Sequence, residues 1–207
     1  MKNIVVFTGA GISAESGLGT FRDSGGLWEK YKIEDVATPE AFQKNPSLVL
    51  DFYNIRRKKL SNCFPNAAHI ALVKLQEKFN LHIITQNVDD LHERSGAKNI
   101  LHLHGKLTES KSTIDGSVYS VNGFDLNIGD YCEKGGQLRP NVVWFGEEVP
   151  NMDRAISIIQ SADCLLIVGT SLQVYPAAQL AYIARSGVPV LPKSDRSPVP
   201  SIFTIPR

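Results

Sequence analysis

The strongest constraint on the fold is an apolar run that ends on a glycine turn. "NIVVFT", residues 3–8, leads directly into Gly9-Ala10-Gly11-Ile12-Ser13-Ala14. The run is short and rich in β-branched residues, which predicts a strand buried on both faces of a parallel sheet. "LHIITQN", "CLLIVGTS" and "VPVL" have the same character, and residues 66–79, 152–161 and 176–186 between them carry apolar residues at helical spacing. This alternation predicts a doubly wound α/β fold. Residues 107–137 break the pattern with a polar, turn-rich stretch holding one or two short strands, and residues 22–57 break it with short helices. The expectation is one domain over residues 1–207, with small-lobe insertions at about 22–57 and 107–137.

Composition narrows the function. A chain of 207 residues with 43% hydrophobic and 21% charged content has the make-up of a globular domain with its own core. A net charge of +1 gives no global attraction to nucleic acid or to an anionic membrane. The apolar stretch 4–7 is too short for a signal-peptide core, and no stretch reaches bilayer length. Cys63, Cys132 and Cys164 are far apart and form no C-x-x-C pair, so neither a disulfide framework nor a four-cysteine zinc site is expected. That usage reads as a reducing, cytoplasmic setting.

The glycine turn matches G-x-G-x-x-A between a strand and a helix, where backbone N–H groups can approach a pyrophosphate. The same turn also serves as a plain strand-to-helix connection. A dehydrogenase would place an acid at a second strand end about 20 residues on, but that region reads "TFRDSGGLWEKY". Hydride transfer is therefore disfavoured. At the end of the next run, Gln86-Asn87-Val88-Asp89 offers two amides and a carboxylate that could grip a carboxamide and a ribose, or cap a helix. "LHLHGK" places His102 and His104 two residues apart; with no third ligand nearby, one histidine as general base is favoured over a metal pair. Gly169-Thr170-Ser171 repeats the small-residue design at a further strand end.

In company these stretches are specific. "GAGISAESGLGTFR", "TQNVDDLH", "HLHG", "LRPNVVWFGE" and "VGTSLQVYPA" together resemble the sirtuin family of NAD-dependent protein deacylases, over residues 4 to about 190. The resemblance implies a Rossmann-like sheet with a small inserted lobe, and NAD as co-substrate. It implies that Gly9, Ala10, Gly11 and Ile12 line the pyrophosphate, with Phe21 and Arg22 over the ribose and nicotinamide. Gln86 would contact the ribose, Asn87 and Asp89 would form the nicotinamide pocket, and Gly169, Thr170 and Ser171 would hold the adenosine side. The implied chemistry joins nicotinamide loss to attack by the amide oxygen of an acylated lysine. His104 then takes a proton from a ribose hydroxyl, and lysine and O-acyl-ADP-ribose are released. Val143, Phe145 and Gly146 would pair with the acylated-lysine peptide by strand addition, with the Phe145 side chain against the lysine stem.

Tyr53 and Arg56 share a helix face at Y-x-x-R spacing, and a phenol beside a guanidinium suits a carboxylate. The pair resembles that of the desuccinylase-type sirtuins, which implies succinyl-, malonyl- or glutaryl-lysine as substrate. The run Arg56-Arg57-Lys58-Lys59 also reads as a solvated basic face. Two departures from the family stand out. The segment before "LRP" holds only Cys132, so the family's four-cysteine zinc is not expected, and Tyr119, Phe124, Leu126 and Ile128 are the candidates to pack the lobe. After "GVPV" the family's asparagine turn is replaced by a tail with four prolines, which predicts a curtailed last strand. An NAD hydrolase, an ADP-ribosyltransferase and an NAD-binding sensor without turnover remain alternatives.

Overall fold

The computed structural model describes residues 1–19 and 30–193. Their strands are β1 (Asn3–Thr8), β2 (Asn80–Thr85), β3 (Ile100–His102), β4 (Gly105–Ser112), β5 (Val118–Ser120), β6 (Leu138–Val142), β7 (Cys164–Val168) and β8 (Val190–Lys193). Their α-helices are α1 (Ile33–Val36), α2 (Pro39–Lys44), α3 (Pro46–Ser61), α4 (Ala67–Gln76), α5 (Leu91–Arg94) and α6 (Met152–Gln160). Two 3-10 helices, Ala10–Ser16 and Ala177–Tyr182, complete them.

Five strands form a parallel sheet in the order β3-β2-β1-β7-β8, the doubly wound arrangement expected from the apolar runs. Along β1 the residues alternate. Val5 and Phe7 pack with Ile84, Leu165 and Ile167 beneath Ala155 and Ile159 of α6, while Val6 packs with Leu81, Ile83 and Leu72 of α4. The chain winds outward through β2 and β3, then returns to the other side of β1 as β7. Strand order therefore reverses between β1 and β7, which is where open α/β sheets form a ligand crevice. Register brings the carboxyl ends to one edge: Thr8 pairs with Thr85 and Val168, Thr85 with His102, and Val168 with Lys193.

Residues 176–186 differ from expectation. They hold a 3-10 helix, not an α-helix, with Ala177, Ala178, Leu180 and Ala181 buried. In a 3-10 helix residues three apart eclipse, so Ala177 aligns with Leu180 and Ala178 with Ala181, and the alanines let the backbone lie close to the sheet. The last strand is short, and Pro192 is confined to an edge, where a missing N–H is tolerated.

The inserted lobe is a three-stranded antiparallel sheet in the order β5-β4-β6. It packs on α1–α3, whose buried Val36, Ala41, Val49, Phe52, Tyr53 and Leu60 meet Leu107, Val142 and Trp144. Helix α3 starts cleanly because Asn45 Oδ1 accepts from the Leu48 N–H and Pro46 takes the first turn. Of the four residues expected to pack the lobe, Leu126 alone is buried; Tyr119 is half-buried, and Phe124 and Ile128 are 45% and 53% exposed. The fastening is polar instead. Arg57 is buried, not part of a solvated face, and donates to Phe124 O (2.8 Å), Leu107 O (3.3 Å) and Asn54 Oδ1. Asn54 exchanges both bonds with the Leu126 backbone, at 3.0 and 3.1 Å. Gln137 Nε2 donates to the carbonyls of Asn127, Asp130 and Leu138. Cys132 Sγ accepts from Gly136 N–H and lies 3.3 Å from Ser112 Oγ. Among the described residues no group of three or more His, Cys, Asp or Glu could hold a metal, and the lobe's residues do not fit a structural zinc.

Gly169 has φ +64°, and a Cβ there would lie 2.2 Å from Ile12 N. Gly169→Ala should therefore cost about 2–3 kcal/mol of stability, read as a lower denaturant midpoint at unchanged slope. An unshifted midpoint would contradict the close approach of the two loops.

Candidate active site

The crevice is built by two loops pressed backbone to backbone. Gly9 N donates to Val168 O at 3.1 Å and Gly11 N to Gly169 O at 2.7 Å. A Cβ on Gly9 would lie 2.6 Å from Thr170 Cβ, and one on Gly11 would lie 2.8 Å from Gly169 Cα. The two glycine N–H groups are thus spent on joining the loops and do not face the crevice as free donors. The glycines serve close packing, and leave Ala10 and Gly11 exposed at the rim with Ile12 buried below. Gln86 crosses the crevice from the end of β2, its Nε2 donating to Thr170 Oγ1 at 2.9 Å. Thr170 Oγ1 also accepts from Leu172 N–H, while Ser171 is exposed. Phe21 and Arg22 lie outside the described residues.

The 3-10 helix after Gly9 delivers Ser13, which the sequence reading did not single out, to the centre of the site. Ser13 Oγ donates to Asp89 Oδ2 (3.0 Å) and accepts from Asn87 Nδ2 (3.1 Å). Asp89 Oδ1 accepts from Leu91 N–H at 3.2 Å. Burial pushes the Asp89 carboxyl up, opposed by the Leu91 and Ser13 bonds and by His102. Asn87 Oδ1 is buried without a hydrogen-bond partner. The Asn87-Val88-Asp89 turn does more than cap a helix.

His104 follows β3, and its Nδ1 lies 3.0 Å from Gln86 O. A carbonyl only accepts, so Nδ1 carries the proton and Nε2 keeps the lone pair. Burial holds the His104 pKa below the ordinary histidine range, partly offset by the Gln86 bond. His102 Nδ1 contacts the neighbouring carbonyl, Asn87 O, at 2.9 Å. The two histidines therefore grip adjacent carbonyls and do not converge on a metal.

Tyr53 and Arg56 are adjacent on α3. Tyr53 is 1% exposed, and its hydroxyl accepts from Trp144 Nε1 at 3.0 Å. Burial pushes the Tyr53 phenol up, so it stays protonated. The Arg56 guanidinium centre is 5.4 Å from the Tyr53 ring and 5.6 Å from the Phe52 ring. Burial lowers its pKa, opposed by Tyr53 and Asp89. Trp144 is fixed on its other side by Arg139, whose guanidinium is 3.3 Å from the indole centroid and bonds Glu147 at 2.6 and 3.0 Å. Charges eight residues apart gave no sequence signal for this pair. In the segment expected to bind peptide, Val143 N donates to His104 O, Trp144 N to Glu147 Oε2 and Phe145 N to Ala37 O. These three donors are used internally; Phe145 is exposed, and Gly146 turns the chain at φ +90°.

This is a doubly wound α/β protein whose polar side chains converge at the reversal of strand order. Residues 9–176 match the Sir2 family model. The chain is 55% identical over 180 residues to an NAD-dependent protein deacylase of Helicobacter pylori strain J99, covering 87% of this chain and 77% of that protein. It is 50% identical over 196 residues to an NAD-dependent protein deacylase of Bacteroides thetaiotaomicron, covering 92% and 84%. Among solved structures, a Sir2 homolog–NAD complex superposes with TM-score 0.85 at 43% identity, over 92% of this chain and 77% of that one. A Sir2 homologue S24A mutant–ADP ribose complex superposes with TM-score 0.86 at 43% identity, over 92% and 79%. The chain belongs to the Sir2 family.

Behind the site, Thr8 Oγ1 lies 3.1 Å from His92 Nε2, and His92 faces His69 at 5.0 Å between ring centroids. Burial lowers the pKa of His69 to about 4 and that of His92 to about 3, from 6.5. Both rings are neutral in the folded protein at neutral pH. As pH falls below 6.5 the unfolded chain takes up protons that the folded chain refuses, so stability falls from there towards about pH 4. The expected slope is about 1.4 kcal/mol per pH unit for each histidine, measured by denaturant titration. His92→Gln should remove about half of it; an unchanged slope would remove His92 from this account.

Proposed function

We propose that this chain is an NAD-dependent protein-lysine deacylase with a preference for acidic acyl groups: succinyl, malonyl or glutaryl. The observation that carries the activity is the pairing of Asn87 with His104 at the same strand edge. Asn87 offers a buried, unpartnered Oδ1, and His104 offers a neutral ring whose Nδ1 is tied to a carbonyl. An NAD molecule fits these residues: Asn87 Oδ1 is an acceptor for the carboxamide N–H groups, Ala10 and Gly11 give a rim without bulky side chains, and Gln86 with Thr170 gives polar contacts for a ribose. When bound, NAD supplies the ADP-ribose that accepts the acyl group. In this reading Asn87 and Asp89 orient the nicotinamide end, Ser13 holds both, and His104 Nε2 accepts a proton from a ribose hydroxyl. Gly9, Ile12, Gly169 and Ser171, with Phe21 and Arg22, belong to the proposed NAD contacts.

For the acyl pocket, the support is the desolvated Arg56 beside the Tyr53 phenol on one turn of α3. A carboxylate would receive a bidentate bond from the first and an O–H from the second. Val143, Phe145 and Gly146 form the proposed peptide contact. With the Val143 and Phe145 N–H groups engaged internally, this stretch would offer mainly carbonyls.

The test is incubation with NAD and matched acetyl- and succinyl-lysine peptides, following peptide mass and nicotinamide release. Succinyl loss dependent on NAD is expected. Acetyl loss alone would reject the pocket, and nicotinamide release without acyl peptide would favour an NAD hydrolase. Arg56→Ala should lower kcat/KM for succinyl peptide about 10- to 100-fold and leave the acetyl peptide nearly unchanged; equal losses would refute the assignment. His104 must be neutral to act as base, so activity should be present above its lowered pKa, with an acid limb below the ordinary 6.5. His104→Ala should lose both the limb and turnover, by about 100-fold or more.

A further inference from the structure

We propose that His102 is a positioning residue that works as an imidazolium, tying the main chain of Asn87 to the Glu93 carboxylate. The consequence for catalysis rests on the reading of Asn87 as the nicotinamide-facing group. The ring is buried at the end of β3. Its Nδ1 lies 2.9 Å from Asn87 O and its Nε2 lies 2.8 Å from Glu93 Oε1. A peptide carbonyl accepts and never donates. A carboxylate does the same. A neutral imidazole carries one N–H and would turn a lone pair towards one of these oxygens, whereas an imidazolium satisfies both.

The alternative is a proton on Glu93, and the surroundings oppose it. Lys106 Nζ lies 3.2 Å from Glu93 Oε1. A cation this close to Oε1 favours the ionised carboxylate over the carboxylic acid. The proton therefore belongs to the ring. The charged and titratable groups around it are Glu93 and the neutral His92 on α5, Asp89 in the loop after β2, and Lys106 on β4, which also lies 3.7 Å from Glu109. On the far side Asn151 Nδ2 donates to His102 O at 2.8 Å, fixing the strand end from which the ring projects.

The two histidines of "LHLHG" thereby divide the work. His104 bonds Gln86 O through one nitrogen and keeps a lone pair for proton transfer. His102 bonds Asn87 O and uses its second proton to anchor itself. The tie acts on the backbone of Asn87, whose side chain is already held by Ser13. Without it the peptide plane can rotate and carry Oδ1 off its position.

Two substitutions separate positioning from ordinary ion pairing. Asparagine places an N–H near the imidazole Nδ1 position, and glutamine places one near Nε2. His102→Asn should keep the bond to Asn87 O and retain kcat for NAD-dependent deacylation within about threefold. His102→Gln should keep the Glu93 bond, lose the tie to Asn87, and lower kcat about tenfold or more with the peptide KM unchanged. In the wild-type protein at neutral pH, imidazole nitrogen NMR shifts should show both His102 nitrogens protonated and His104 protonated at Nδ1 alone. Glu93→Gln, whose amide can donate to a neutral ring, should convert His102 to the neutral form. A bare nitrogen on wild-type His102, or His102→Gln as active as His102→Asn, would overturn the proposal. If the wild type turned over no acylated peptide, the functional reading would fail separately. The tie would then be read from the Asn87 amide resonances, unmoved in His102→Asn and displaced in His102→Gln if it exists, and moved equally in both if it does not.

Discussion

The site depends on the contact between the loop after β1 and the loop after β7. Gly9, Gly11 and Gly169 pack without side chains between them, joined by Gly9 N–H to Val168 O and Gly11 N–H to Gly169 O. Parallel strands leave their carboxyl ends at one edge, but that alone does not bring the emerging loops into contact. Three glycines do, because any Cβ in this place would meet backbone or a β-carbon at under 3 Å. From that anchor the 3-10 helix turns back and sets Ser13 between Asn87 and Asp89, so the β1, β2 and β7 ends become one rigid rim. Pre-organisation of this kind removes reorganisation from the reacting step.

A second dependency runs through α3. One face of this helix carries Tyr53, which bonds Trp144, and the next turn carries Arg57, which fastens the lobe. Burying a guanidinium is costly unless its donors find acceptors. Arg57 finds three, the carbonyls of Phe124 and Leu107 and the Asn54 side chain, and burial still lowers its pKa to about 10. The lobe is therefore held by directional polar bonds to the same helix that presents Arg56. Trp144, bonded to Tyr53 at its indole nitrogen and stacked on Arg139, couples that helix to the segment after β6.

What was legible in the sequence followed physical periodicity. The four β-branched runs became β1, β2, β7 and β8, and the inner strands β1, β2 and β7, covered on both faces, need no polar alternation. Strand β3 carries no strand signal: three residues give no period, and its apolar positions merge with the two histidines. The lobe's strands were harder still, since β4 reads "GKLTESKS" and buries Leu107, Ser110 and Ser112. Phe124 and Ile128 looked like core because aromatic and aliphatic residues usually are, but the lobe is closed by backbone carbonyls that no side-chain pattern announces. In the basic run, Arg57 turns inward while Lys58 and Lys59 stay exposed, a difference of helix phase that composition hides. The glycine turn was legible as a turn. Where its N–H groups point was not, because that depends on a loop about 160 residues away.

Asn87, Asp89 and His104 were legible as residue types, and their protonation follows from three-dimensional partners. A reaction that develops positive charge at a ribose carbon gains from a nearby carboxylate that stays ionised, although burial works against that ionisation. At Asp89 burial prevails and pushes the carboxyl up, with three local contacts opposing it. The Leu91 N–H, the Ser13 hydroxyl and the His102 ring all favour its charged form, against desolvation. The neutral rings of His69 and His92 add no competing charge behind it, while Arg56 adds one in front. Within the proposed function the groups near Asp89 are thus divided: His102 fastens the loop that carries Asn87, and Arg56 meets the acyl group. A carboxylate on that acyl group would bring the negative charge that the desolvated Arg56 favours. A neutral acyl group would bring none, so in the proposed function Arg56 is the group that would tell an acidic acyl chain from a neutral one.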